Sequence, residues 1–207
     1  MLKKNQNIFL LFPNIVTMTR TIVFLLSVYM VSIQKYALFW FVIGVICNLA
    51  DALDGYLARK RNECTQIGQI LDFTFDRIAL MALMFLLSLW LPAYWFIFFL
   101  VATLDVLAHY LHLKTVCENG ERDHKKNQLT QASFCLRWYY KNKTNLFLVC
   151  FFHDAFFGLL VLSQLIQLNP FFTFFLYFSS LFAALKTVIH IQKVVLALKL
   201  LAERESR

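Results

Sequence analysis

The chain has 207 residues, 60% of them hydrophobic and 17% aromatic, with 23 phenylalanines but only five glycines and three prolines. A mean hydropathy of +0.62 excludes an ordinary soluble domain and points to a multi-pass membrane protein. The net charge of +8 is therefore read by its position relative to a bilayer, and no nucleic-acid partner is expected.

The apolar stretches predict an all-α fold with six transmembrane helices: Thr17–Ile33, Tyr36–Leu57, Gln69–Leu91, Tyr94–Leu113, Leu146–Leu168 and Phe171–Leu196. A short interfacial helix, Asn7–Phe12, precedes the first. Turns at Gln34–Lys35, Leu91–Ala93 and Asn169–Pro170 are short and nearly uncharged, whereas Lys60–Ile67 and Lys114–Asn145 form longer polar connections. No repeat or linker divides the chain, so residues 1–207 read as a single domain. The start shows no short apolar core followed by a small-residue cleavage site, so no cleaved signal peptide is expected. Cys47, Cys64, Cys117, Cys135 and Cys150 lack metal-ligand spacing and are expected as reduced thiols.

Orientation follows from the basic residues. Every Lys and Arg except Lys35 falls at the face opposite the short turns or just inside it. By the positive-inside rule that face is cytosolic, and so are both termini.

At the cytosolic ends of the second and third helices, four aspartates lie within the stretch from residue 51 to residue 76. Asp51 and Asp54 are three apart and Asp72 and Asp76 four apart, so each pair shares a helix face. An unpaired Asp at the bilayer centre costs about 2.5–3.5 kcal/mol, and four together repel one another unless a cation lies between them. Two facing helices with two carboxylates apiece can surround a pair of hard cations roughly 3.5–4 Å apart. Oxygen-only donors suit Mg²⁺ or Mn²⁺, two per active site. Gly55 and Gly68, each one turn from an Asp, allow a backbone or ligand to come close. Arg59 could fork onto a phosphate. A cation transporter would instead place its carboxylates near the bilayer midplane in a broken helix.

The full pattern, Asp51-x-x-Asp54-Gly55-x-x-Ala58-Arg59 followed by Gly68, Asp72 and Asp76, resembles the signature of the CDP-alcohol phosphatidyltransferases at all eight positions. That resemblance implies a membrane enzyme that displaces CMP from a CDP-linked lipid with an alcohol. It also implies Asp76 as general base, sharing a metal with Asp51, Asp54 and Asp72, and Gly55, Ala58 and Gly68 lining the nucleotide site. Asn14, Thr17 and Arg20 lie on one helical stripe whose spacing resembles a family pattern at the CDP-lipid site. The alternative for these three is an ordinary helix start with an interfacial arginine.

Further residues narrow the alcohol. Asp105, His109 and His112 share one face of the fourth helix; Asp105 and His109 could bind zinc, but no further ligands are arranged to complete a site. Together with Asn7–Leu10, Phe12–Asn14, Arg137–Tyr140, Asp154 and Leu185–Lys186, they resemble the eukaryotic-type phosphatidylinositol synthases over nearly the full length. Asp154 stands where that group leads one to expect Glu, and the loop after His112 differs. The resemblance implies transfer of a phosphatidyl group from CDP-diacylglycerol to myo-inositol, giving phosphatidylinositol and CMP. Asp105, His109, His112 and Asp154 can meet a neutral polyol with donors and acceptors. Arg137 and Lys186 would suit the alternative, a phosphatidylglycerophosphate or phosphatidylinositol-phosphate synthase with a phosphorylated acceptor; for Lys186, snorkelling to the interface is the plainer role. Expected surroundings are membrane lipids, in the endoplasmic reticulum if eukaryotic and the inner membrane if bacterial. The Phe-rich fourth and last two helices could face lipid or a second protomer, as in a homodimer.

Overall fold

A computed structural model describes residues 11–61, 63, 65–119 and 132–206, and among these there is no strand. The all-α expectation holds. The chain divides into two compact helical units, one ending at Trp95 and the other beginning at Phe96.

The first unit holds α1 (Phe12–Ser32), α2 (Ala37–Leu49), α3 (Asp51–Arg61) and α4 (Gln66–Trp90). Helix α1 packs against the other three. Its buried stripe is small and polar: Asn14, Thr17, Thr21 and Ser27 precede Val31. The hydroxyls of Thr17, Thr21 and Ser27 donate to carbonyls one turn back, at 3.0, 2.9 and 2.7 Å, so they enter the packed face already satisfied. Ile15, Met18, Ile22, Leu25, Leu26 and Tyr29 point outward. This distribution, small inside and apolar outside, is what lipid demands, because helices there associate by close packing and not by hiding oil from water. Gly44 on α2 lets α1 approach: a Cβ at that position would lie 3.1 Å from Ser27 Oγ.

Two boundaries differ from the sequence-based expectation. Helix α1 begins at Phe12, five residues before the expected Thr17, because Pro13 at its first turn has no N–H to leave unbonded. Most of the expected interfacial helix, Asn7–Phe12, lies outside the described residues. The expected second helix, Tyr36–Leu57, is broken at Ala50 into α2 and α3. Helix α3 carries Asp51 and Asp54 in its first turn and Arg59, Lys60 and Arg61 in its last, each charge at the helix end whose partial charge it offsets. The 13 residues of α2 extend about 20 Å, short of a hydrocarbon core of about 30 Å. Helix α4 starts earlier than expected, where Thr65 Oγ1 accepts from Gly68 N at 2.9 Å and caps it.

The second unit contains α5 (Trp95–Asn119), α6 (Phe134–Lys141), α7 (Lys143–Leu165) and α8 (Pro170–Glu205). The long α7 and α8 lie along each other, with α6 against both. Asn169 caps α8, its Oδ1 accepting from Phe172 N at 3.0 Å. Helix α6 corrects the expectation of an irregular connection over Lys114–Asn145. Ser133 caps it, and Leu136 and Tyr139 on its inner face join Ala132, Val149 and Ile189 in the unit's core.

Among the described residues, four helices are long and apolar enough to cross a membrane: Phe12–Ser32, Pro92–Thr115, Lys143–Leu165 and Pro170–Glu205. The chain is an integral membrane protein.

Candidate active site

Asp72 and Asp76 sit one turn apart on α4, and the structure supplies them with a partner that the motif does not contain. Arg20, reaching across from α1, places Nη2 2.8 Å from Asp72 Oδ1 and 3.9 Å from Asp76 Oδ1. The two carboxylates are 42% and 36% exposed while Arg20 is only 10% exposed, so the guanidinium fills the inner side and the acids keep an outer one. Arg77 adds a longer contact, 4.0 Å from Asp76 Oδ2. Asp51 and Asp54 have their backbone in the first turn of α3; their carboxylates lie outside the described side chains.

The remaining CDP-lipid candidates lie on α1, α3 and the start of α4. Asn14 and Thr17 are buried on the α1 stripe that leads to Arg20. Gly68 abuts Asn14 so closely that an added Cβ would come within 2.8 Å of Asn14 Oδ1 and 3.1 Å of Thr65 Oγ1. Glycine at 68 is thus explained by contact between α1 and the start of α4. Gly55 is different: its nearest neighbour is the exposed Arg59 guanidinium, 3.4 Å from where a Cβ would stand, an ordinary contact. Ala58 is half-buried on the same helix.

In the second unit the acceptor candidates separate into two groups. In one, the buried Asp105 lies 3.5 Å from His109 Nδ1 and 3.6 Å from His190 Nε2 through its Oδ1. In the other, Asp154 Oδ1 is 2.8 Å from His153 Nδ1 and 3.8 Å from Lys186 Nζ. Lys186 Nζ in turn lies 3.2 Å from His153 Nδ1. That nitrogen cannot donate to the carboxylate and accept from the ammonium at once, so its proton decides which contact is made. His112 stacks with Tyr140, the ring centroids 6.2 Å apart. Arg137 is exposed on α6.

Sequence reasoning missed His190, His153 and Lys193. Lys186, His190 and Lys193 form one buried stripe of α8, with Lys193 Nζ over the rings of Tyr139 and Tyr140 at 4.9 and 5.4 Å. The 4-and-3 spacing of three basic residues in an apolar helix was a usable signal. The expectation that Asp105 and His109 lack further ligands is corrected by His190, which belongs to a helix remote in sequence.

The family profile of the CDP-alcohol phosphatidyltransferases matches residues 10–202. The chain belongs to that family. Within it, the chain is 32% identical over 202 residues to the CDP-diacylglycerol–inositol 3-phosphatidyltransferase of Rattus norvegicus, covering 95% of this chain and 93% of the relative. The enzyme of the same name from Schizosaccharomyces pombe is 32% identical over 168 residues, 81% of this chain and 70% of its own length. The Homo sapiens enzyme of that name is 33% identical over 158 residues, 76% and 73% of the two chains. No solved structure matches this CDP-alcohol phosphatidyltransferase.

Proposed function

We propose that this chain is a CDP-diacylglycerol–inositol 3-phosphatidyltransferase: CDP-diacylglycerol and myo-inositol give phosphatidylinositol and CMP. The observation that carries the reading is likeness over nearly the whole length to an enzyme of that name, 95% of this chain against 93% of the rat protein. The family match runs through both units, from residue 10 to 202, which supports treating the chain as one catalytic domain.

Asp51, Asp54, Asp72 and Asp76 would hold two divalent ions, Mg²⁺ or Mn²⁺. The fit is supported by the chemistry of Asp72 and Asp76: two hard oxygen donors, half-exposed, already drawn onto one cationic group in Arg20. Bound there, such ions would supply positive charge to offset the pyrophosphate and the departing CMP. The chain's own residues supply the rest. Arg20 positions the α4 carboxylates, Asn14 and Gly68 set the close approach of α1 to α4, and Arg59, exposed near the end of α3, would meet a phosphate. Asp76 accepts the proton of the acceptor hydroxyl as that oxygen attacks the lipid-bearing phosphorus and the bond to CMP breaks.

For the acceptor, Asp105, His109, His112, Asp154 and Lys186 are the proposed contacts. Lys186 is answered by Asp154 and His153, so this unit offers balanced donors and acceptors, which suits a neutral polyol. Arg137, exposed on α6, gives the phosphorylated-acceptor reading little support. Six membrane passes with both termini cytosolic, and residence in the endoplasmic reticulum, complete the proposal. They are supported by the basic residues' distribution and by eukaryotic relatives.

The test is CMP release by purified protein in detergent, given CDP-diacylglycerol and Mg²⁺ or Mn²⁺, against inositol, inositol phosphate, glycerol 3-phosphate and serine. Release with inositol alone is expected. Release only with a phosphorylated acceptor would overturn the acceptor while keeping the reaction class, and no release with any would overturn the activity.

A further inference from the structure

The buried group on α5 and α8 has a chemistry that polyol binding does not use up. Asp105, His109 and His190 each bring one potential ligand atom within 4.8 Å of the other two. Asp105 is 1% exposed and His190 3%. The approach of His190 Nε2 to Asp105 Oδ1, at 3.6 Å, is too long for a hydrogen bond, and Nε2 has no other hydrogen-bond partner among the described residues. A buried ring nitrogen left in that state calls for a ligand. Two donors that share a tetrahedral ion at bond lengths of about 2.0–2.2 Å stand roughly 3.3–3.5 Å apart, close to this separation.

His109 is prepared in the same sense. Its Nδ1 lies 2.8 Å from the carbonyl oxygen of Asp105. A carbonyl can only accept, so Nδ1 carries the proton and Nε2 the lone pair. With Nδ1 committed to that carbonyl, Nε2 is the nitrogen that His109 would offer an ion. Of the neighbouring lysines, Lys186 contacts His153 and Asp154, and Lys193 lies over the rings of Tyr139 and Tyr140.

We propose that Asp105, His109 and His190 bind one divalent transition-metal ion of the zinc class. Two imidazoles and one carboxylate select zinc and its neighbours over the hard ions suited to an all-carboxylate site. Three protein ligands leave a fourth position open to water or a substrate hydroxyl. The site shares Asp105 and His109 with the proposed acceptor contacts but none of its ligands with the Asp51–Asp76 motif, so metal content tests it separately from phosphatidyl transfer.

The experiment is metal analysis of full-length protein purified in detergent without added chelator, washed with EDTA, and measured by plasma mass spectrometry. Wild type is expected to retain about one equivalent of zinc-class metal per chain. Asp72→Asn should retain the same amount, while Asp105→Asn and His190→Ala should fall about tenfold or more, as loss of a ligand requires. Because those two variants could fail to fold, His190→Cys reconstituted with Co²⁺ provides a gain of signal: a sulfur-to-metal charge-transfer band absent from wild type. Wild type that holds no metal after incubation with zinc overturns the proposal. So does metal lost with Asp72→Asn, metal unchanged in His190→Ala, or a Co²⁺-loaded His190→Cys without the thiolate band.

Discussion

Asp72 and Asp76 illustrate how a single residue's neighbours set its task. Both are held by Arg20, yet both keep an exposed side. Asp72→Asn would remove a proposed metal donor together with the 2.8 Å ion pair, and activity should fall at least about 100-fold with the far-ultraviolet circular dichroism unchanged. Asp76→Asn should lower kcat by about 10²–10⁴ and leave the KM for CDP-lipid nearly constant. Should KM carry the effect instead, Asp76 is a binding group and not the base. Gly68→Ala makes a finer probe. The new methyl must displace Asn14, whose Oδ1 would be 2.8 Å away, while alanine adds helix propensity. We expect kcat/KM for CDP-lipid to drop roughly 10- to 100-fold, as displacement of a positioning group does, with the melting temperature little changed. An unaltered kcat/KM would remove Asn14 from the lipid site. The α4 pair was legible in sequence because four-residue spacing fixes a shared face. The arginine that joins it, 52 positions upstream, was legible only as a member of a stripe.

Among the elements, the long apolar helices were readable from composition, and the places where reading failed have a common cause. At Ala50 the chain passes from an apolar run to a charged one without proline or glycine to mark a break, so one helix was expected where there are two. Helix α6 lies in a stretch polar enough to read as a loop. It is helical because Ser133 caps it and Leu136 and Tyr139 find a core supplied by α7 and α8. Leu136, 2% exposed, should therefore matter more than its surroundings in sequence suggest. Leu136→Ala is expected to destabilise the protein by about 2–4 kcal/mol, seen as a lower thermal transition in detergent. If the transition does not move, α6 is not anchored by this residue.

For the whole molecule, charge distribution carries the proposed topology. With the native cysteines replaced by serine, Lys35→Cys and Arg204→Cys should label from opposite sides of sealed membrane vesicles with an impermeant maleimide, position 204 from the cytosolic side. Labelling of both from one side would reverse that assignment. Chelation bears on function at the same scale. EDTA should abolish CMP release and added Mg²⁺ or Mn²⁺ restore it, whereas activity that survives exhaustive chelation would exclude the two-ion reading. The reaction class could be read from eight positions in a 26-residue stretch. The pairing of α5 with α8 through Asp105 and His190 could not, because nothing in either helix's own pattern names the other.

The division of α1 into a small, polar inner stripe and a large, apolar outer one has a consequence for biogenesis. The outer residues Ile15, Ile22, Leu25 and Leu26 supply the hydrophobicity that a translocon senses, so this segment can be delivered to the bilayer before any partner helix exists. Asn14, Thr17, Thr21 and Ser27 add little to that decision and govern what the inserted helix later recognises. Defects on the two stripes should accordingly arise at different times. An outer-face change would yield chains that never enter the membrane, and an inner-face change would yield chains that enter normally and are cleared for failing to assemble.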